Sequence, residues 1–191
     1  MRLSDKDIKK YIEDGKIIID PLPDYEKALG SASIDLSLGR EFKMFKVMKD
    51  EKNKSDIIKI NDDIENYMVN ISLKENESFI LPPNEFALGI THERIKLPNN
   101  IIGILDGRSS LARLGLSIHA TAHTIEAGWD GKIVFEFANH GSKSIELTPF
   151  LRTGAISFEL LTSDVEKPYS MKKNAKYINQ NKVLSSKINK D

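Results

Sequence analysis

Apolar and polar residues alternate along much of this chain, and proline, glycine and asparagine interrupt the pattern at short intervals. In residues 33–39, Ile34, Leu36 and Leu38 fall on one side and Ser33, Asp35 and Ser37 on the other, the period-two signature of a half-buried strand. Residues 78–81, 86–90, 101–105, 132–138, 145–147 and 155–161 are further short apolar runs. Breakers such as Pro82-Pro83-Asn84 and Pro98-Asn99-Asn100 stand between them. Many short strands joined by turns predict a mainly β fold, a barrel or jelly roll with a few short helices.

Helical signals are fewer. Ser4, with Asp7 three residues on, makes a variant capping box. Ile8, Tyr11 and Ile12 then share a helical face, and Gly15 is a stop. Residues 17–24 read as a short strand entering a proline-rich turn, and residues 110–116 have room for one short helix. Residues 48–67 are rich in Lys, Asp, Glu and Asn, a solvated excursion in which Ile57, Ile58 and Ile60 could anchor a strand. From residue 167 the chain is polar, with Tyr169 and Tyr177 as isolated aromatics, an arm or tail on a single domain spanning 1–191.

Charge and composition narrow the function. Lys plus Arg equals Asp plus Glu at 28 each, so the basic excess of a duplex-binding protein is missing and no nucleic-acid partner is expected. Near-zero net charge fits self-association. Zero cysteines exclude disulfides and any Cys-ligated zinc or iron–sulfur site. No stretch of 18 apolar residues occurs, and the first residues lack a signal-type run, so a cytoplasmic protein without a membrane partner is expected.

Two segments carry chemistry. Arg108 and Arg113 bracket Ser109, Ser110, Leu111 and Ala112 behind Gly107. Guanidinium forks, hydroxyls and main-chain N–H groups at a helix start suit phosphate oxygens. A capped surface helix with two solvated arginines explains the same residues. In residues 132–138, Ile133, Phe135 and Phe137 share one strand face, and Val134, Glu136 and Ala138 the other. If that second face lines a cavity, Glu136 sits among apolar neighbours, where desolvation raises a carboxyl pKa and suits it to take and return a proton. If the face is open, Glu136 is a solvated strand residue.

His119 and His123 lie four apart in a segment that reads as extended, which would separate them by roughly 13 Å, too far for one zinc ion. His92 and His140 add no ligand pattern, so no metal site is expected. Trp129 after Gly128 reads as a core or interface aromatic.

Taken together, residues 107–116, Thr121-Ala122-His123, Gly128-Trp129, Val134-Phe135-Glu136 and 175–180 resemble the deoxycytidine triphosphate (dCTP) deaminase family, and the likeness runs over nearly the whole chain. The resemblance implies a distorted β-barrel or jelly roll of the trimeric dUTP pyrophosphatase type. It implies a homotrimer with sites at subunit interfaces, in which residues 167–191 close on the nucleotide. The implied reaction is hydrolysis of dCTP to dUTP and ammonia, with Mg²⁺ on the triphosphate and no zinc. Glu136 corresponds to the general base and acid. Ser109 and the carbonyl of Ala122 correspond to the groups that hold the water, and Arg113 supports them. Arg108, Ser110, Leu111 and Ala112 complete a nucleotide-contacting loop, and Val134 and Phe135 correspond to main-chain contacts with the base. Tyr169, Lys176 and Gln180 correspond to tail residues over the ligand. His119 and Ala120 sit where the family switches between active and dTTP-inhibited forms.

The chain departs from the family's usual Ile-Asp-Pro-Gly-Trp, reading Ile125-Glu126-Ala127-Gly128-Trp129. Glu126 must reach the sugar hydroxyl with one methylene more, Ala127 lacks the fixed φ of proline, and Thr124 stands where related sequences often carry a basic residue. A dUTP pyrophosphatase, or a bifunctional enzyme continuing to dUMP, is the neighbouring reading. The absence of glycine from residues 175–191 disfavours the monofunctional form, which ends in a Gly-rich phosphate loop. A non-catalytic nucleotide sensor on the same fold would predict loss of the base at position 136.

Overall fold

The structure is a computed structural model describing residues 1–46 and 57–190. Ser4 opens helix α1 (Asp5–Glu13), its hydroxyl accepting from the Asp7 N–H while the Asp7 carboxylate takes the Ser4 N–H. Gly15, at φ +68°, ends the helix. Its N–H reaches Ile12 O at 2.9 Å and the Lys16 N–H reaches Tyr11 O at 2.9 Å, the paired bonds of a Schellman close. Ile8 is buried, so the predicted apolar face is the one that docks.

Strand β1 (Ile18–Asp20) follows, then a one-turn helix α2 (Tyr25–Ala28) that Asp24 caps through the Glu26 N–H. The long β2 (Ile34–Phe45) carries Ile34, Leu36 and Leu38 inward, as their alternation predicts. Next come β3 (Met68–Ser72), β4 (Phe79–Leu81), β5 (Phe86–Lys96) and β6 (Ile101–Gly107). The chain continues through α3 (Ser109–Ala112), β7 (Leu116–Ser117), β8 (Thr124–Ile125), β9 (Asp130–Asn139), β10 (Ile145–Leu147) and β11 (Arg152–Leu160). The mainly β expectation holds: a curled half-barrel sheet runs in the order β7-β9-β5-β2-β11-β6-β8, with β1 beside β5 and β3 beside β2. A second small sheet pairs β10 with β4.

Rings from three strands fill the interior. Phe42 stacks on Phe79 at 4.2 Å between centroids, and Phe137 leans on Phe42 at 6.4 Å and on Phe135 at 5.5 Å. At Thr91–Glu93 the β5 ladder slips its register. Side chains replace the lost pairing: Thr91 Oγ1 takes the Ile133 N–H at 2.9 Å, and the buried Glu93 carboxylate takes the Ser37 N–H at 2.9 Å. Burial pushes the Glu93 carboxyl above its usual range, against the pull of Ser37 and Lys132.

Some expectations need correction. Residues 47–56, most of the first half of the charged excursion, lie outside the described residues. Ile57, Ile58 and Ile60 lie outside any strand and are exposed. The helix expected in residues 110–116 is the single turn Ser109–Ala112, since Leu116 already belongs to β7. β3 escaped notice because its inward residues are few and its flanks polar. Among the described residues, no helix is long and apolar enough to cross a membrane.

Candidate active site

The burial of β9 alternates strictly, with Ile133, Phe135 and Phe137 in the core and Val134 and Glu136 on the opposite face. That face opens on a cavity of about 360 Å³. Leu105, Ile125, Trp129 and Leu88 make apolar walls, and Ile64 and Met68 close one side. Glu136 is the one carboxylate among the residues that line it. Its main-chain N–H donates to Ile118 O at 2.8 Å, and its Oε2 accepts the Ala120 N–H at 2.8 Å. The loop after β7 therefore fixes the carboxylate, and Ala122 of the same loop lines the cavity.

Main-chain groups add a second polar edge. On β9 the Lys132 N–H reaches Gln180 O at 2.7 Å and the Glu136 N–H reaches Ile118 O, both away from β5. Val134 lies between them and faces its N–H and C=O the same way, because antiparallel pairing alternates from residue to residue. Phe135, by the same rule, turns its main chain to Gly89 of β5, and its ring is in the core.

The tail supplies part of the cavity wall. Pro168 packs over Gly128, whose φ is +78°; a Cβ there would come within 2.5 Å of Pro168 Cβ. The Tyr169 ring lies 5.2 Å from that of Trp129, and its hydroxyl accepts the Tyr177 N–H at 3.2 Å. Burial raises the Tyr169 phenol pKa. Gln180 is buried, donates from Nε2 to Lys132 O at 3.1 Å and keeps a buried Oε1 with no partner among the described residues. Tyr177, Gln180 and Ser185 line the cavity, and Ser185 Oγ donates to Glu65 at 2.7 Å, beside the Glu65–Lys43 ion pair. Lys176 stays half-buried, its carbonyl accepting from Lys187 Nζ.

The Arg/Ser cluster stands apart from this cavity within one chain. Ser109, Ser110 and Ala112 on α3 and Arg113 at its C-cap are exposed, and Leu111 is half-buried. Ala112 borders a different hollow with Ser117, His119 and His140. Arg108 turns to Asp35, Nε to Oδ2 at 3.1 Å, and donates to Arg152 O at 2.8 Å; Arg152 pairs with the same Asp35 oxygen. Burial raises the Asp35 carboxyl pKa even so. Glu126 is exposed and pairs with Lys172. A larger hollow of about 670 Å³, lined by Lys16, Asn99, Asn100, Gly128 and Asp164 among others, holds none of the residues given a catalytic, nucleotide-binding or regulatory role from the sequence.

The two histidines lie closer than the extended reading implied. Residues 118–123 bend instead of extending, and the rings of His119 and His123 stand 5.5 Å apart between centroids.

Residues 2–161 match the dCTP deaminase-like family. A dCTP deaminase of Rhodospirillum rubrum is 49% identical over 194 residues, covering 100% of this chain and 98% of the relative. One from Haemophilus influenzae is 45% identical over 199 residues, covering 100% and 99%. The chain belongs to the dCTP deaminase-like family. The crystal structure of a 2′-deoxycytidine 5′-triphosphate deaminase from Agrobacterium tumefaciens superposes with a TM-score of 0.63 at 20% identity, a likeness of fold. It covers 83% of this chain, which spans 47% of that longer protein.

Sequence reasoning on this member of the dCTP deaminase-like family named Glu136, Ala122, Val134 and Gln180, and the fold brings these four to one cavity. It missed Tyr177 as a cavity residue and the apolar walls Ile64, Met68 and Leu105. Ile64 and Met68 sit in polar sequence without periodicity, so no local signal marks them.

Proposed function

We propose that this protein hydrolyses dCTP to dUTP and ammonia. The observation that carries the reading is Glu136: a single carboxylate in an apolar cavity, held by the Ala120 N–H beside Ala122 and the outward main chain of Val134. Glu136 takes a proton from water, and the resulting hydroxide adds to C4 of the cytosine ring. The same carboxylate gives that proton to N3 of the ring, then takes the proton of the new C4 hydroxyl and passes it to the amino nitrogen; C4=O forms, the C4–N bond breaks, and ammonia leaves. A carboxylate serves here in place of the metal that activates water in zinc deaminases. The Ala122 carbonyl and the Ser109 hydroxyl hold the water, and Arg113 supports the developing charge. Val134 meets the polar edge of the base, with Phe135 holding it in register from the core. The idle Gln180 Oε1 is a free acceptor at the same cavity.

The exposure of Ser109, Ser110, Ala112 and Arg113 supports a homotrimer in which one subunit lends Ser109, Arg113 and the phosphate contacts to its neighbour's Glu136 cavity. Arg108, Ser110, Leu111 and Ala112 then meet the triphosphate, Glu126 the sugar, and Tyr169 and Lys176 close over the ligand. Mg²⁺ arrives with the triphosphate of the substrate. The bend at His119 and Ala120 suits dTTP feedback, because it directly holds Glu136. A cytoplasmic place fits a product that feeds thymidylate synthesis. Incubation with dCTP and Mg²⁺, resolving dUTP, dUMP, ammonia and pyrophosphate, tests the reading; no ammonia from a folded, nucleotide-binding protein would defeat it.

A further inference from the structure

A smaller hollow of about 220 Å³ adjoins the Glu136 cavity and shares none of its lining residues. Arg40 of β2, His92 of β5 and Lys132 of β9 all line it, together with Asn181 of the tail. Lys132 stands two residues before Val134 on the same face of β9, and Asn181 follows Gln180. The volume is below the roughly 300 Å³ at which sites for drug-sized ligands begin, so it suits a small ion and not a nucleoside.

Phe150 organises the donors. It is 49% exposed and stands at φ +67°, a conformation that bulky side chains rarely adopt. Its N–H holds it there on Leu38 O at 2.8 Å. The Arg40 guanidinium lies over the ring with Cζ 5.1 Å from its centre, and the His92 ring meets it edge-on at 4.7 Å. One fixed wall thus positions two donor groups. Arg40 gives one of its five N–H groups to Lys74 O. Among the described residues, the Lys132 ammonium makes no hydrogen bond or ion pair.

Two permanent cations face one carboxylate in the hollow, that of Glu41. Burial, then the Lys132 and Arg40 charges, hold the His92 imidazole below its usual range, with Asp20 pulling the other way. Lys132 also acts on the buried Glu93, whose carboxylate is already committed to the Ser37 N–H. Cations gathered round a half-buried imidazole repel one another. An anion among them removes that repulsion and adds charge-assisted hydrogen bonds.

We propose that Arg40, His92 and Lys132 form a binding site for one small oxyanion of the phosphate type, with the Asn181 amide as a neutral donor. The guanidinium fork and the ammonium take its oxygens, and His92 donates through its ring N–H. The site does not rest on the deaminase role of Glu136.

Proton NMR of the 4 histidine rings in the full-length protein reads the site locally, with His92 assigned by its loss in His92→Gln. Inorganic phosphate should move the His92 signal saturably and raise its titration midpoint, because a neighbouring negative charge favours the imidazolium. Sodium chloride at equal ionic strength should not. Lys132→Gln and Arg40→Gln should each weaken binding about tenfold, and Lys6→Gln on α1 should leave it unchanged. Lys132→Gln removes no side-chain bond of the fold, so it serves if Arg40→Gln melts early. Undiminished binding in Lys132→Gln, or a His92 midpoint that phosphate raises no more than chloride does, overturns the site. A His92 signal that dCTP moves and inorganic phosphate does not would assign the hollow to the nucleotide's own phosphates, and overturns it equally. Phosphate bound here by a protein that releases no ammonia from dCTP supports the site and defeats the deaminase reading alone.

Discussion

The Ala120 amide donates to Oε2 of Glu136 across 2.8 Å, and the second carboxylate oxygen takes no hydrogen bond among the described residues. One oxygen is thus occupied in orientation, and the other stays available at the cavity. This division of labour is what a proton shuttle needs: a fixed angle and a free lone pair.

Glu136→Gln keeps the shape and the Ala120 contact but removes the base. Turnover of dCTP should fall on the order of 10²-fold or more while nucleotide binding persists. Steady-state kinetics beside equilibrium binding measures both. Near-normal turnover in a well-folded variant would sink the role.

Glu93 gives a pH dependence of stability. Burial raises its folded-state pKa. Between the ordinary glutamate value, about 4.3, and that raised value, the folded protein holds more protons than the unfolded chain. Stability from this group therefore falls as pH rises through the window. Glu93→Gln retains an acceptor for the Ser37 N–H and removes the titration. The melting temperature of the wild type should drop relative to the variant across that window; parallel curves would contradict the assignment.

The fold was legible wherever burial is one-sided. β9 shows why: its period of two names both the core face and the face bearing Glu136. The capping box at Ser4 and the stop at Gly15 were legible because their chemistry is local. The His119–His123 bend was not, because main-chain bonds to Glu136 and Leu105, distant in sequence, impose it. For the same reason Arg108 gave no hint of Asp35.

The tail makes a third prediction. Val183, Gln180 and Ser185 are buried against residues of the cavity rim, and Glu65 is held below the usual carboxylate range by the Lys43 ammonium and the Ser185 hydroxyl. All eleven strands named here end by Leu160. Deleting residues 168–191 should leave the sheet folded and raise the apparent KM for dCTP by roughly tenfold or more. An unchanged KM would show that the segment does not close on nucleotide.

The last prediction concerns where the reaction stops. A pyrophosphatase step needs a carboxylate that places water at the α-phosphate. Glu126 is the candidate, yet it is exposed and paired with Lys172. It is also one methylene longer than the aspartate usual in the family, which moves the carboxylate by roughly 1.5 Å. A misplacement of about 1 Å can cost on the order of 10²-fold in a positioned reaction. Residues 175–191 contain no glycine to wrap phosphates closely. We therefore expect ammonia to be released from dCTP well ahead of pyrophosphate, with dUTP accumulating. Glu126→Asp, by shortening the reach, should raise any residual phosphate cleavage relative to deamination. Ammonia and pyrophosphate appearing in equal amounts from the earliest time points would show instead a bifunctional enzyme, with Glu126 placing water despite its length.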